Sequence, residues 1–146
     1  MIAHGYISPQ LIAKEINMPI LNVKVSANQS PEMTRAIAAT LLELTGRILK
    51  KKPEVTSIAI SYIAPDDWIV GGKSLAELGK ASIYFDIKIT DETNTKEEKA
   101  QYIAESFAAF RELLGELHEV SYIHVEDVRA TAYGYGGLTQ EYRYQH

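Results

Sequence analysis

Residues 82–90 read Ser82-Ile-Tyr-Phe-Asp-Ile-Lys-Ile-Thr90, and this stretch decides the fold. Ile83, Phe85, Ile87 and Ile89 fall on one side; Ser82, Tyr84, Asp86, Lys88 and Thr90 fall on the other. That is the period-two alternation of a strand with one buried face. A polar turn follows, and then Thr95 and Glu98 stand in the register of a capping box, which marks a helix start. Ile103, Phe107, Phe110, Leu114 and Leu117 are expected to form the buried stripe of that helix. The segment 120–128, VSYIHVEDV, reads as a closing strand.

The same succession stands earlier in the chain. Leu21, Val23 and Val25 alternate with Ile20, Asn22 and Lys24 in a first strand. Ser30 suits an N-cap, Pro31 the first helical position, and Glu32 the positive end of the helix. Ile37, Leu41, Leu44 and Ile48 recur at helical spacing, Lys50 to Lys52 favour the carboxyl end, and Pro53 stops the helix. The strand 57–64, SIAISYIA, then ends in the turn Pro65-Asp66-Asp67, and GGKSLAELGK reads as a loop.

Each strand–helix–strand unit joins parallel strands by a right-handed crossover. Two units predict an α+β, two-layer fold: a four-stranded mixed sheet with both helices on one face. The uncovered back would carry Asn22, Lys24, Tyr84, Asp86 and Lys88, facing water or partner subunits.

Bulk composition bounds the function classes. Hydrophobic residues make up 46% of 146 and charged residues 23%, a globular composition with a core. The formal charge of -4, with cations spread among acids, points away from nucleic acid. There is no cysteine, hence no disulfide framework or thiolate metal site. No apolar run is long enough for a membrane helix, and residues 1–17 lack the pattern of a signal peptide, so a cytoplasmic protein is expected.

Met18-Pro19-Ile-Leu-Asn-Val-Lys-Val25 resembles the opening of tautomerase-superfamily proteins, in which the initiator Met is removed and Pro becomes the amino terminus. The stretch Ile58 to Gly72, with Pro65-Asp66, Trp68-Ile69-Val70 and Gly71-Gly72, is similar to the macrophage migration inhibitory factor branch, which fuses two β-α-β units. So is Tyr122-Ile-His-Val-Glu-Asp-Val128. Ile87-Lys-Ile-Thr90 and Lys96-Glu-Glu-Lys99 are similar to the malonate semialdehyde decarboxylase relatives. The resemblance spans Met18 to about Gly137 and implies a single domain over 18–146, a homotrimer, and no cofactor.

It also implies a chemistry. An amino-terminal proline is a secondary amine that keeps its lone pair, whereas a peptide nitrogen gives it to resonance. Burial or a neighbouring ammonium lowers its pKa toward neutrality, so it can move a proton alpha to a carbonyl. The resemblance makes Pro19 the general base for keto–enol isomerisation of a small 2-keto or enol acid. It places Lys52 and the Ile89 N–H near the substrate, Tyr122 and His124 at positions that a neighbouring subunit contributes, and Tyr135 against the pocket. His124 replaces the asparagine common in the cytokine. The turn Asp91-Glu92-Thr93-Asn94 lacks the arginines with which the decarboxylase and dehalogenase relatives hold a carboxylate, which ranks those chemistries low.

Other readings stand beside these. Pro19 alone is a strand-start proline, Lys52 a partner of the helix dipole, Tyr122 and His124 residues of the sheet back, and Trp68 a hydrophobic plug. Residues 1–17 place Pro19 inside the chain. They are a misassigned start, a processed segment, or a true extension that silences the site. Lys14-Glu15 before Met18 fits a translated ribosome-binding sequence, and 9–16 also reads as a short amphipathic helix. A non-catalytic homotrimer or binding protein with Pro19 blocked is the alternative. A small-molecule-sensing domain of ferredoxin-like topology is a third.

Overall fold

A computed structural model describes residues 19–145; Met18, residues 1–17 and the helix expected at 9–16 lie outside the described residues. The strands β1 (Ile20–Val25), β2 (Ser57–Tyr62), β5 (Ile83–Thr90) and β6 (Tyr122–Val128) form one sheet in the order β2-β1-β5-β6. β1 and β2 pair in parallel, as do β5 and β6, while β1 and β5 run antiparallel with Ile20 opposite Lys88. The long helices α1 (Pro31–Leu49) and α3 (Lys96–Leu114) pack against each other over one face.

Local sequence explains these elements. Ser30 caps α1 by accepting the Met33 N–H at 3.0 Å, with Pro31 at the first position where a missing N–H costs nothing. Thr95 and Glu98 form the expected reciprocal capping box on α3. Leu21, Val23 and Val25 meet Ile83, Phe85, Ile87 and Ile89 under Ile37, Leu41, Leu44 and Ile48, so the alternating faces are the core as read.

Two readings need correction. Ile103 is 39% exposed, and Tyr102 and Ser106 take its place beside Phe110 on the buried face of α3; Phe107 and Leu114 pack against the core as read, and Leu117 is buried beyond the end of the helix. Tyr102 turns inward because its hydroxyl meets Thr45 Oγ1 at 2.8 Å and its ring meets the Phe85 ring edge-on, satisfying the polar tip inside the core. The segment 71–80, read as a loop, folds further: β3 (Ile69–Val70) and β4 (Lys73–Ser74) make a hairpin, and α2 (Leu75–Leu78) follows. Gly71 and Gly72 both take positive φ, which a two-residue turn of the right twist requires.

The second unit repeats this cap at one constant interval. β7 (Gly134–Tyr135) and β8 (Leu138–Thr139) form a hairpin across Gly136 and Gly137, and α4 (Gln140–Gln145) follows. Each cap is preceded by a short 3₁₀ turn, Pro65–Asp67 and Ala130–Ala132. Each is closed by one backbone bond, Leu75 N–H to Trp68 O at 2.9 Å and Gln140 N–H to Tyr133 O at 2.6 Å.

Candidate active site

Pro19 is buried just ahead of β1, where its carbonyl accepts the Ser57 N–H at 3.1 Å and so ties the chain to β2. It opens on a cavity of about 330 Å³. Ile20 adds to the wall from β1, Val55 and Ser57 from the approach to β2, and Tyr133, Gly134 and Tyr135 from the cap of the second unit. The start of the first unit and the end of the second therefore meet at one place.

Tyr133 brings the cavity its most constrained polar group. Its hydroxyl donates to the Lys88 carbonyl at 3.1 Å, at the rung where Lys88 stands opposite Ile20. Burial pushes the phenol up to about 12, with the Ile20 N–H acting against that shift, so the group stays protonated near neutrality. Tyr135 is 44% exposed, and its ring lies 4.1 Å from the guanidinium of Arg143, whose Nη2 also donates to the Tyr135 carbonyl at 3.2 Å. Glycine at 136 lets this arm cross the turn, since a Cβ there would stand 2.7 Å from Arg143 Nη2.

Of the residues singled out from sequence, Pro19 and Tyr135 share this cavity; Lys52, Ile89, Tyr122 and His124 are outside its lining. Lys52 is half-buried ahead of the turn Pro53–Val55, where its carbonyl accepts the Val55 N–H and the Thr56 hydroxyl. Ile89 is buried in the core. Tyr122, 64% exposed, and His124 stand on the sheet back, in register with Tyr84 and Asp86. That back is polar: Lys88 pairs with Asp86 at 3.3 Å and Glu126 at 3.7 Å, and Lys24 lies 6.0 Å from the Tyr84 ring.

Two features escaped the sequence. Tyr133 carries no local sequence signal, because the group that holds its hydroxyl is the backbone carbonyl of Lys88 on a distant strand. Lys51, not Lys52, is the lysine of the triplet that turns inward: it is 6% exposed, and its Nζ donates to Thr93 Oγ1 at 2.9 Å. Burial lowers its pKa to about 8, while Glu98 and Asp127 pull it back up. The signal for this inward turn is Lys50, whose left-handed φ of 63° reverses the chain after α1. Among the described residues no cluster of His, Cys, Asp or Glu is placed to hold a metal ion, and no helix is long and apolar enough to cross a membrane.

The sequence model described as tautomerase enzyme matches residues 19–78, which begin at Pro19 and end with the first cap. The chain has the tautomerase-superfamily fold, in a fused two-unit form. Among solved tautomerase-like structures, a fused 4-OT asymmetric trimer superposes with a TM-score of 0.73 at 18% identity, covering 84% of this chain and 97% of that one. A macrophage migration inhibitory factor-like protein from Entamoeba histolytica gives 0.69 at 17% identity, over 84% and 98%. A structure inactivated by 2-oxo-3-pentynoate gives 0.72 at 12%, over 84% and 98%. No curated protein matches the chain. Identities this low speak to the tautomerase fold alone.

Proposed function

We propose that the chain is a cofactor-free tautomerase of a small 2-keto or enol acid, with Pro19 as general base once its nitrogen is a free amine. The observation that carries this reading is the burial of Pro19 at the wall of a cavity built by both units. A buried secondary amine is held below its aqueous pKa, because the charged form loses hydration, and it can accept a proton at neutral pH. It takes the proton from the carbon alpha to the carbonyl, or from the enol oxygen in reverse, and returns it at the other atom. Covalent bookkeeping closes without any redox partner.

In this reading the protein works in the cytoplasm as a homotrimer, as the fused 4-OT relative's structure is a trimer. The polar sheet back would face neighbouring copies, and Tyr122 and His124 would serve a neighbour's cavity. There they would stabilise the developing enolate together with the Ile89 N–H, while Lys52 binds the acid.

The test begins with the intact mass of the protein from its native host, followed by ultraviolet assay of enol ketonisation. A chain starting at Pro19 should catalyse it, and Pro19→Ala should lower kcat/KM on the order of 10² to 10⁴-fold. A chain still carrying residues before Pro19 keeps that nitrogen in a peptide bond. That result sinks the proline-base mechanism and leaves a binding protein.

A further inference from the structure

We propose that residues 1–18 dock on the outer face of the second cap, with Leu11, Ile12 and Ile16 against Tyr135 and Leu138, and so cover the Pro19 cavity. The contact belongs to the whole chain and stands apart from the proline-base reading.

Matching positions of the two caps show that this face wants a partner. In the first cap the interior is apolar and the exterior charged: Leu75 is buried, while Lys73 and Glu77 are exposed. That is the ordinary arrangement of an element facing water. The second cap inverts it. Gln140 is buried where Leu75 stands, while Leu138 replaces Lys73 and Tyr142 replaces Glu77, both exposed. Tyr135 is exposed too, and it is the register partner of Leu138, so the two side chains share one face of the hairpin. Glu77 also completes a capping box by accepting the Ser74 N–H at 2.9 Å. A tyrosine at the same place gives up that bond and puts a ring outside. Inside, the Gln140 amide has no partner among the described residues. Exposed apolar groups beside an unsatisfied amide mark a surface that a further piece of chain completes.

The occupant follows from where the chain enters. Residue 18 is bonded to Pro19, and Pro19 shares its cavity with Tyr133, Gly134 and Tyr135. The three residue steps from Pro19 back to Ile16 reach about 10 Å in extended chain, enough to cross a cavity of about 330 Å³. Residues 1–18 carry Ile2, Ile7, Leu11, Ile12, Ile16 and Met18 but only two charged side chains, Lys14 and Glu15. So apolar a segment gains free energy by leaving water for an apolar face. The tether holds it there at an effective concentration on the order of millimolar, against which a separate partner protein must compete. Leu11, Ile12 and Ile16 recur at helical spacing in the reading of 9–16 as an amphipathic helix, which puts them on one side.

Hydrogen-exchange mass spectrometry on the 146-residue chain tests the contact. Wild type is compared with Leu138→Lys, Tyr142→Glu and the double variant Ile12→Lys, Ile16→Lys. The first two variants install the first cap's own residues at exposed positions, so the cap should keep its fold, which thermal midpoints check. In wild type, peptides over 9–16 should exchange at least about 10-fold more slowly than an unstructured chain, and each variant should remove most of that protection. The double variant should in turn speed exchange over 135–142. Exchange of 9–16 at the unstructured rate in wild type overturns the proposal, as does protection that survives in all three variants. Equal protection of 135–142 in the double variant also overturns it, because a second copy of the chain then covers the cap. If a cap variant melts early, Ile12→Cys or Ile16→Cys, each combined with Leu138→Cys, decides instead. The native chain has no cysteine, so mild oxidation should close one intramolecular disulfide, and thiols that stay free in both pairs overturn the contact. The amino-terminal mass and enol ketonisation decide the proline-base reading separately, and none of these outcomes bears on it.

Discussion

The two caps of this molecule share a backbone and differ in what they expose. Both run from a 3₁₀ turn through a two-residue glycine hairpin to a helix, and Ser74 and Thr139 take the same place before it. Ser74 accepts the Glu77 N–H and Thr139 accepts the Tyr142 N–H, each in the spacing of a helix cap. The first cap fills that frame with Trp68, Ile69, Val70 and a buried Leu75. The second puts Tyr133, Gly134, Tyr135 and a buried Gln140 at the matching places. One copy is apolar, with Ile69 57% exposed; the other has polar tips and a bare backbone beside Pro19. A repeat that keeps its fold in both copies leaves the second set of side chains to be explained by the cavity, because function lives in the site and not in the frame.

The largest way to break that comparison is to restore a side chain where the second hairpin has none. A Cβ at Gly134 would run into the Leu138 carbonyl oxygen and stand 2.7 Å from Thr139 Cα, both backbone atoms of the paired strand. They cannot yield without opening the hairpin. Gly134→Ala should cost about 3 kcal/mol, at the upper end of overpacking penalties, because strand pairing and close contact are lost together. It should also abolish ligand binding in the Pro19 cavity, whose wall Tyr133 and Tyr135 form on either side. Chemical unfolding and binding titration check both; a stable variant with an intact site means that the hairpin has room for a side chain.

How much of this was legible follows from where each residue finds its partners. The alternation of residues 82–90, the Thr95–Glu98 capping box and the Ser30-Pro31 start name their own local structure, so the sheet and both long helices could be read directly. Pro19 and Tyr135 were reached through family resemblance. Tyr102 was hidden by its hydroxyl, which finds Thr45 only once α1 and α3 pack. Tyr133 was hidden for the same kind of reason, because its partners are backbone groups brought near by the sheet. Within Lys50 to Lys52, composition cannot say which ammonium is buried; the left-handed turn at Lys50 decides it.

The helix ends sharpen the comparison further. Lys50 and Gly115 both close their helices with positive φ, but the next residue is buried Lys51 in one unit and exposed Glu116 in the other. Lys51 falls from an ordinary 10.5 to about 8 in the fold, chiefly through burial. Below pH 8 folded and unfolded chains both hold the proton, and the full cost of burying a charge is present. Between 8 and 10.5 the folded chain sheds it first, so this group's contribution to stability rises with pH. The gain across that window should be about 3 kcal/mol. Lys51→Met should remove that slope and be more stable than wild type at pH 7. Denaturant titrations at several pH values measure it, and equal slopes in the two proteins would show that Lys51 is hydrated.

The smallest expected effect concerns the helix that closes the second cap. Gln140 is fully buried, yet among the described residues neither its Oε1 nor its Nε2 has a partner, whereas Leu75 fills the corresponding place without a polar atom. An unsatisfied amide inside a protein loses its water without replacement, at a cost of about 1 to 3 kcal/mol. Leucine has nearly the same volume and belongs to the same frame, so Gln140→Leu should stabilise the chain by about 1 kcal/mol, with a matching rise in midpoint on thermal unfolding. The sign carries the information. Stabilisation would make the second cap a copy of the first that gave up packing at this position. A loss of stability would mean that the amide has a partner in solution, an ordered water or a neighbouring copy, and the polar character of the second cap would then extend from the cavity wall into its interior.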